Sequence, residues 1–141
     1  MALRGPCPTF LLTLALLAAC VALILGPGWS LLNDIFRKNH VDFPKTITTT
    51  NNAYCNKMMW DRAMYLKYSN TFIHATENDI RRICTTDGLS TEPYWYKSKS
   101  PFSITTCTFD SWRLSYNGIR ASQKIVISCW NCLPVFYVKS I

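Results

Sequence analysis

The sequence predicts an α+β fold in which helices come first and strands follow. Apolar residues recur at helical spacing in the first half of the chain, whereas the second half contains runs rich in aromatic and β-branched residues. The pattern does not alternate between strand and helix, which argues against a parallel α/β sheet. A length of 141 residues with 49% hydrophobic content indicates one domain with a real core and excludes a disordered chain.

Residues 1–30 have the pattern of a secretory signal peptide. Arg4 precedes an uncharged run at residues 10–25, and a Gly-Pro-Gly turn follows that run. A membrane anchor is the alternative, because the apolar run falls only just short of a bilayer span. We therefore expect residues 31–141 to form a secreted, extracellular domain.

The chain is strongly basic. Its formal charge is +7, and loss of Arg4 with the leader would lower this by only one unit. Such a balance favours polyanionic partners, namely nucleic acid, heparin-like cell-surface glycans or an anionic membrane.

Outside the leader, the cysteine content predicts disulfides, as is usual for a small exported domain. The number is odd, so one thiol is expected to be unpaired or bonded to another chain. Zinc is disfavoured because the histidines, His40 and His74, do not lie at finger spacing from the cysteines. No metal or cofactor is predicted. The cysteines concerned are Cys55, Cys84, Cys107, Cys129 and Cys132.

Two helices are predicted in the first half of the domain. In residues 31–40 one helical face is apolar, and it comprises Leu31, Leu32, Ile35 and Phe36. Residues 42–50 contain a proline and a run of threonines, which is typical of a linker. Residues 52–64 again have helical spacing, with an inward stripe of Tyr54, Cys55, Met58 and Met59.

The second half is predicted to be mainly strands. Residues 67–74 form the first, and residues 76–84 a short helix with an N-terminal capping pattern. The polar segment 87–100 is predicted to be a surface loop, and Asn117-Gly118 a turn. Further strands are expected at residues 102–109, 123–130 and 133–138.

Several stretches resemble the pancreatic-type ribonuclease family. The most specific is LKYSNTFIH at residues 66–74, which is similar to the family signature C-K-x-x-N-T-F-[IV]-H with Leu66 in place of the cysteine. The last strand is most similar to the angiogenin branch. The resemblance implies three short helices packed on a bent antiparallel sheet. The other matching stretches are FRKNHVD at 36–42, AYCNKMM at 53–59, SITTC at 103–107 and CWNCLPVFYV at 129–138.

The resemblance also implies two disulfides, Cys55–Cys107 and Cys84–Cys129. A third family bridge would join positions 66 and 114, where this chain has leucines, and we expect apolar packing between Leu66 and Leu114 to replace it. Cys132 has no counterpart in the family pattern. It is either an unpaired thiol or the site of a disulfide-linked dimer.

Four residues match the family's catalytic and substrate-binding positions. In the reaction that the resemblance implies, the RNA 2′-hydroxyl attacks the adjacent phosphate, which requires a base, an acid and a cation. His40 matches the base, and Lys67 matches the lysine that stabilises charge in the transition state. Asn39 stands where a phosphate-contacting glutamine is common, and Thr71 matches the residue that binds pyrimidine edges.

The family's general acid is missing from the last strand. Phe136 stands at the position of this histidine and has no proton to transfer, and Val138 replaces the acidic residue that orients it. His74 matches a structural position. A register slip of one residue would bring Tyr137 to the acid's position, but such a slip would also reverse the face of every side chain in the strand.

These observations predict a secreted basic protein of ribonuclease fold that is inactive or very weakly active and binds nucleic acid or another polyanion. The resemblance implies roles in the reproductive tract or in host defence, where divergent and basic family members act. The alternative is a low-activity endoribonuclease that cleaves single-stranded RNA 3′ of pyrimidines with His40 and Lys67.

Overall fold

The computed structural model describes residues 28–141, and nearly all of the predicted leader lies outside them. The described residues form three α-helices, one 3-10 turn and seven strands. The helices are α1 (Gly28–His40), α2 (Asn51–Asp61) and α3 (Glu77–Arg81), which continues into the 3-10 turn Arg82–Cys84. The strands are β1 (Ser69–Ile73), β2 (Gly88–Glu92), β3 (Trp95–Ser98), β4 (Phe102–Asp110), β5 (Ser115–Gln123), β6 (Ile125–Trp130) and β7 (Leu133–Ser140).

The strands are arranged in two antiparallel sheets. One has the order β1-β4-β5 and the other the order β2-β3-β6-β7. The predicted α+β class is therefore confirmed, with two sheets where one bent sheet was expected. Among residues 28–141, no helix is both long enough and apolar enough to cross a bilayer.

Helix α1 confirms the first predicted helix but buries a narrower face than expected. Phe36 and His40 are its buried side chains, whereas Leu31 and Ile35 are exposed. The buried face is narrower because the buried side chains of α1 are confined to its second half. Ile35 lies in the wall of a cleft and not in the core. Basic residues in the last turn complement the negative end of the helix dipole.

Helix α2 begins with a side-chain cap and buries the predicted stripe. The Thr50 hydroxyl accepts a hydrogen bond from the backbone N–H of Ala53. The helix ends at Asp61, three residues earlier than predicted, and Ala63 just beyond it has a φ of 56°. Such a left-handed conformation cannot continue a helix. The buried side chains are Tyr54, Cys55, Met58 and Met59, as predicted.

Two apolar clusters form the core. The first lies between α1, α3 and the four-stranded sheet, and includes Phe36, Ile83 and Ile127. The second packs α2 against the three-stranded sheet, and includes Tyr54, Phe72 and Tyr116. Together the two clusters pack both sheets and all three helices into one domain.

Each predicted family disulfide is present and joins a helical segment to a strand. Cys55–Cys107 links α2 to β4, and Cys84–Cys129 links the 3-10 turn to β6. Cys132 is disulfide-bonded in the full chain, and its state in the mature domain, including a disulfide-linked dimer, stays a prediction.

The predicted packing of Leu66 against Leu114 is wrong. Leu66 is 77% exposed and Leu114 is 68% exposed, so the two leucines do not replace a disulfide by apolar burial. The reason is that each leucine lies in a surface turn, Leu66 between α2 and β1 and Leu114 between β4 and β5, and both have left-handed φ angles of 84° and 51°.

Two segments of the second half were wrongly predicted. The supposed loop 87–100 contains the hairpin of β2 and β3, which pair antiparallel. Asn117-Gly118 is not a turn but lies inside β5, where Gly118 pairs with Cys107. The actual turn between β4 and β5 is formed by residues 111–114. The expected strand 123–130 is divided between the end of β5 and β6.

The glycine at position 118 is required by a close approach of helix α2. A Cβ at Gly118 would lie 2.3 Å from the carbonyl oxygen of Asn51, and the Gly118 N–H donates to the Asn52 side chain at 2.8 Å. Only a residue without a side chain fits between β5 and the start of α2.

We therefore expect Gly118→Ala to lower the free energy of unfolding by about 2–3 kcal/mol, because the backbone carbonyl of Asn51 has to move. Chemical denaturation of the purified protein measures this change. Ser122→Ala is the matched control, since this residue is exposed on the same strand, β5. Equal stability of the two variants would contradict the packing argument.

Candidate active site

The structure brings all six sequence-predicted site residues to one cleft. The cleft has a volume of about 450 Å³ and lies between α1, the start of β1 and β7. Its wall includes every residue to which the family resemblance assigns a role, namely Asn39, His40, Lys67, Thr71, Phe136 and Tyr137. The rest of the lining is mostly apolar and includes Phe36, Val135 and Val138.

His40 ends helix α1, and its imidazole is buried. The Nδ1 atom lies 2.8 Å from the carbonyl oxygen of Thr71, and a carbonyl can only accept, so Nδ1–H donates this bond. Nε2 is then the unprotonated nitrogen of the neutral ring. Burial lowers the pKa of His40 to about 4, and the charge of Lys67 lowers it further against the opposing effect of the Thr71 carbonyl. At neutral pH the ring is neutral and able to accept a proton.

Asn70 holds the cationic group of the cleft in place. The Lys67 ammonium donates to Asn70 Oδ1 at 3.0 Å, and the Asn70 amide donates to the carbonyl oxygen of Asn39 at 2.8 Å. Asn70 itself is buried in β1. Burial also lowers the pKa of Lys67. The sequence motif contains this asparagine, but its contacts with both neighbours are visible only in the folded chain.

Thr71 contributes its side chain as well as its carbonyl. Its hydroxyl lies 3.0 Å from the hydroxyl of Thr106, which β1–β4 pairing places directly opposite. A hydroxyl can donate and accept, so this pair can adapt to either kind of group on a base edge.

The last strand places Phe136 and Tyr137 in different surroundings. Phe136 pairs with Ser128 and Tyr137 with Ile127, with a shift of register on either side of these two pairs. The Phe136 residue is 55% exposed at the opening of the cleft. The Tyr137 ring stacks on His40 with centroids 5.3 Å apart, and its hydroxyl is buried with no hydrogen-bond partner among residues 28–141.

The second histidine lies outside the cleft. His74 Nδ1 is 3.0 Å from the carbonyl oxygen of Asp42, and Nε2 is 2.8 Å from the Thr105 hydroxyl. Burial lowers the pKa of His74. Within the described part of the chain, no three His, Cys, Asp or Glu residues lie close enough to hold a metal ion.

Comparison with known proteins gives the chain its family. Residues 33–137 match the family model for pancreatic ribonuclease, and this range includes every residue of the cleft that has a predicted role. The chain belongs to the pancreatic ribonuclease family. Membership in this family implies RNA binding.

Individual relatives include both ribonucleases and angiogenins. The chain is 35% identical to a ribonuclease of Chelydra serpentina over 113 residues, which cover 75% of this chain and 95% of the relative. It is 36% identical to angiogenin-2 of Bos taurus over 115 residues, covering 73% and 90% respectively. Green turtle egg white ribonuclease has a similar structure, with a TM-score of 0.75 and 35% identity over 78% of this chain and 98% of that chain.

Within this pancreatic ribonuclease fold, the cleft combines a neutral imidazole, an ammonium group and a hydroxyl pair on one side with aromatic rings on the other. The first set can accept a proton, neutralise a phosphate and hydrogen-bond to a base. The aromatic side offers stacking area but, at Phe136, no exchangeable proton.

The buried His40 makes the stability of this ribonuclease fold depend on pH. The unfolded chain takes up a proton near pH 6.5, whereas folded His40 does so only near pH 4. Unfolding is therefore favoured as the pH falls through this window, by an amount on the order of 3 kcal/mol.

We expect His40→Gln to remove this part of the acid sensitivity. Urea denaturation at pH 7, 5.5 and 4 gives the dependence of the unfolding free energy on pH for the wild type and for the variant. His74→Gln is the control for the second buried histidine. Parallel stability curves for wild type and His40→Gln would show that His40 does not resist protonation.

Proposed function

We propose that the protein is a secreted, basic pancreatic-ribonuclease-fold protein that binds RNA or a similar polyanion in the cleft and has lost most or all catalytic activity. It is a divergent member, close to the angiogenin branch in its last strand, without the C-terminal catalytic histidine. Reproductive-tract or host-defence biology is the setting in which we expect such binding to act.

The presence of Phe136 in the cleft is the observation that supports loss of activity. Transphosphorylation needs a proton for the departing 5′ oxygen, and a phenyl ring has none to give. Val138 also lines the cleft, so the position that would orient an acid is apolar too. The base and the cation remain, through His40 and Lys67.

Among residues 28–141, no other side chain replaces the missing acid well. Tyr137 lies in the cleft wall, but its hydroxyl is buried and its ring packs on His40. His74 is occupied by Thr105 and Asp42 outside the cleft. A residual reaction would have to take its proton from water.

Polyanion binding is supported by charge and by the cleft itself. The chain has 15 basic and 8 acidic residues, and Lys67 reaches the cleft without a carboxylate among its described contacts. A phosphate could contact Lys67 and Asn39, while the Thr71 hydroxyl could hydrogen-bond to a base. Sulfated cell-surface glycans carry the same negative charge as RNA but have no nucleobase for Thr71 to bind.

The test of the catalytic proposal is cleavage of a pyrimidine-containing single-stranded RNA. We expect the natural protein to match a His40→Ala control and Phe136→His to gain at least about 10-fold in rate, because the variant regains an acid. The gain should stay below that of a complete site, since Val138 cannot orient the new imidazole.

The double variant Phe136→His/His40→Ala is the matched control and should be inactive. Cleavage by the natural protein well above its His40→Ala control would sink the proposal of lost activity and favour the low-activity endoribonuclease.

Binding is tested separately by fluorescence anisotropy with a labelled single-stranded RNA. We expect Lys67→Ala to weaken binding and to reduce the slope of log affinity against log salt by about one. Lys57→Ala is the control, since this lysine lies outside the cleft and pairs with Asp61. Equal effects of the two variants would mean that overall charge, not the cleft, binds RNA.

A further inference from the structure

Two asparagines of helix α2 take the place of a neighbouring strand along β5. This strand lies at one edge of the three-stranded sheet. The Tyr116 N–H donates to Asn56 Oδ1 at 2.7 Å, and the Gly118 N–H donates to Asn52 Oδ1 at 2.8 Å. Asn52 and Asn56 are four residues apart and therefore lie on one face of the helix. The edge of β5 is thus bonded to helix side chains, which keeps it from pairing with another chain.

The second of these bonds is made by the Asn-Gly pair of the sequence. Asn117 precedes Gly118, and its side chain is exposed, so water reaches its amide. Asparagine is chemically labile in this setting, because a following glycine has no side chain to hinder attack of its nitrogen on the asparagine amide. The pair is therefore a site where spontaneous deamidation is chemically favoured and the fold decides its rate.

The reaction needs no reagent other than water. The Gly118 nitrogen loses its proton and forms a bond to Cγ of Asn117, while the Cγ–Nδ2 bond breaks and the amide group leaves with that proton as ammonia. Water then opens the resulting succinimide ring at either of its carbonyl groups. The products are aspartate and isoaspartate, each of which adds a negative charge, and isoaspartate also adds one carbon to the main chain.

The folded chain opposes this attack at both reacting groups. The Gly118 nitrogen is held by its bond to Asn52, and a Cβ added at Gly118 would lie only 2.3 Å from the Asn51 carbonyl oxygen, so there is little room for it to move. Asn117 pairs with Thr108 in the extended ladder of β4 and β5. In such a strand the side chain stands out from the sheet while the following N–H lies in its plane, which separates Cγ from the attacking nitrogen.

We propose that Asn117 is a latent deamidation site and that Asn52 is the residue that keeps it closed. Asn52 lies in the first turn of α2, directly after the Thr50 cap. Helix ends open locally more often than the core does. When this turn opens, the Gly118 nitrogen loses its acceptor and the helix that covers it together. The extra main-chain carbon of isoaspartate then prevents Gly118 from returning to its place, so the modification records the opening permanently.

The experiment follows conversion of Asn117 in the secreted protein, produced from the full chain, during incubation at mildly alkaline pH and physiological temperature. Trypsin releases residues 114–120 as one peptide, because cleavage follows Arg113 and Arg120. Mass spectrometry of this peptide measures deamidation, and labelling with protein isoaspartate methyltransferase identifies isoaspartate. The reduced chain in urea gives the rate without any protection by the fold.

We expect the natural protein to convert at least about 10-fold more slowly than the unfolded chain, and Asn52→Ala to convert about 5-fold faster than the natural protein, because one hydrogen bond to the attacking nitrogen is lost. Asn56→Ala is the matched control. It removes the same kind of bond from the same helix face, but the bond to Tyr116, whose nitrogen does not attack, so the rate should stay close to natural. Asn52→Asp retains an acceptor and should keep the slow rate.

Chemical denaturation first establishes which variants are folded under the incubation conditions. Equal rates for Asn52→Ala and the natural protein would overturn the proposal, as would an equal acceleration in Asn56→Ala, which would mean that general loosening of α2 is the cause. If Asn52→Ala is unfolded, the test rests on Asn52→Asp and on the unfolded chain. Fast conversion of Asn52→Asp, or a natural protein that converts as fast as the unfolded chain, would each refute the protective role of Asn52.

Discussion

The buried carboxylate of Asp42 is the interaction on which the cleft depends most. It accepts hydrogen bonds from the backbone N–H and hydroxyl of Thr46 and from the hydroxyl of Tyr54, and Arg62 lies 3.7 Å away. The Asp42 backbone in turn bonds to Ile73 and to His74. One residue thus ties the end of α1 to α2 and to β1. Without these partners a buried charge would be strongly destabilising.

This junction determines where the imidazole of His40 lies. His40 lies two residues before Asp42. The residue between them, Val41, forms an isolated parallel β-bridge with Ile73 of β1. The same strand, β1, supplies the Thr71 carbonyl that fixes the His40 tautomer and the Asn70 amide that holds Lys67. The proton-accepting side of the cleft is therefore built by one short strand against one helix end, apart from β7. Substitutions in β7 can remove the acid without disturbing the rest.

Sequence reasoning predicted the helices and the cleft residues because both leave strong local patterns. The stripe in α2 follows helical spacing, and the K-x-x-N-T-F-I-H match fixes Lys67 and Thr71. It missed β5 because SYNGIRASQ is polar and buries chiefly Tyr116, so no alternation is visible and Asn117-Gly118 resembles a turn. The glycine is explained only by helix α2 lying across it, a contact between residues far apart in the chain.

The contacts of Thr71 separate recognition from proton transfer. The carbonyl that orients His40 belongs to the main chain, whereas the hydroxyl paired with Thr106 belongs to the side chain. A substitution of Thr71 keeps the backbone carbonyl that orients His40 and changes the side chain that contacts Thr106. Ligand preference in this cleft is thus free to drift during evolution while the imidazole stays in its orientation.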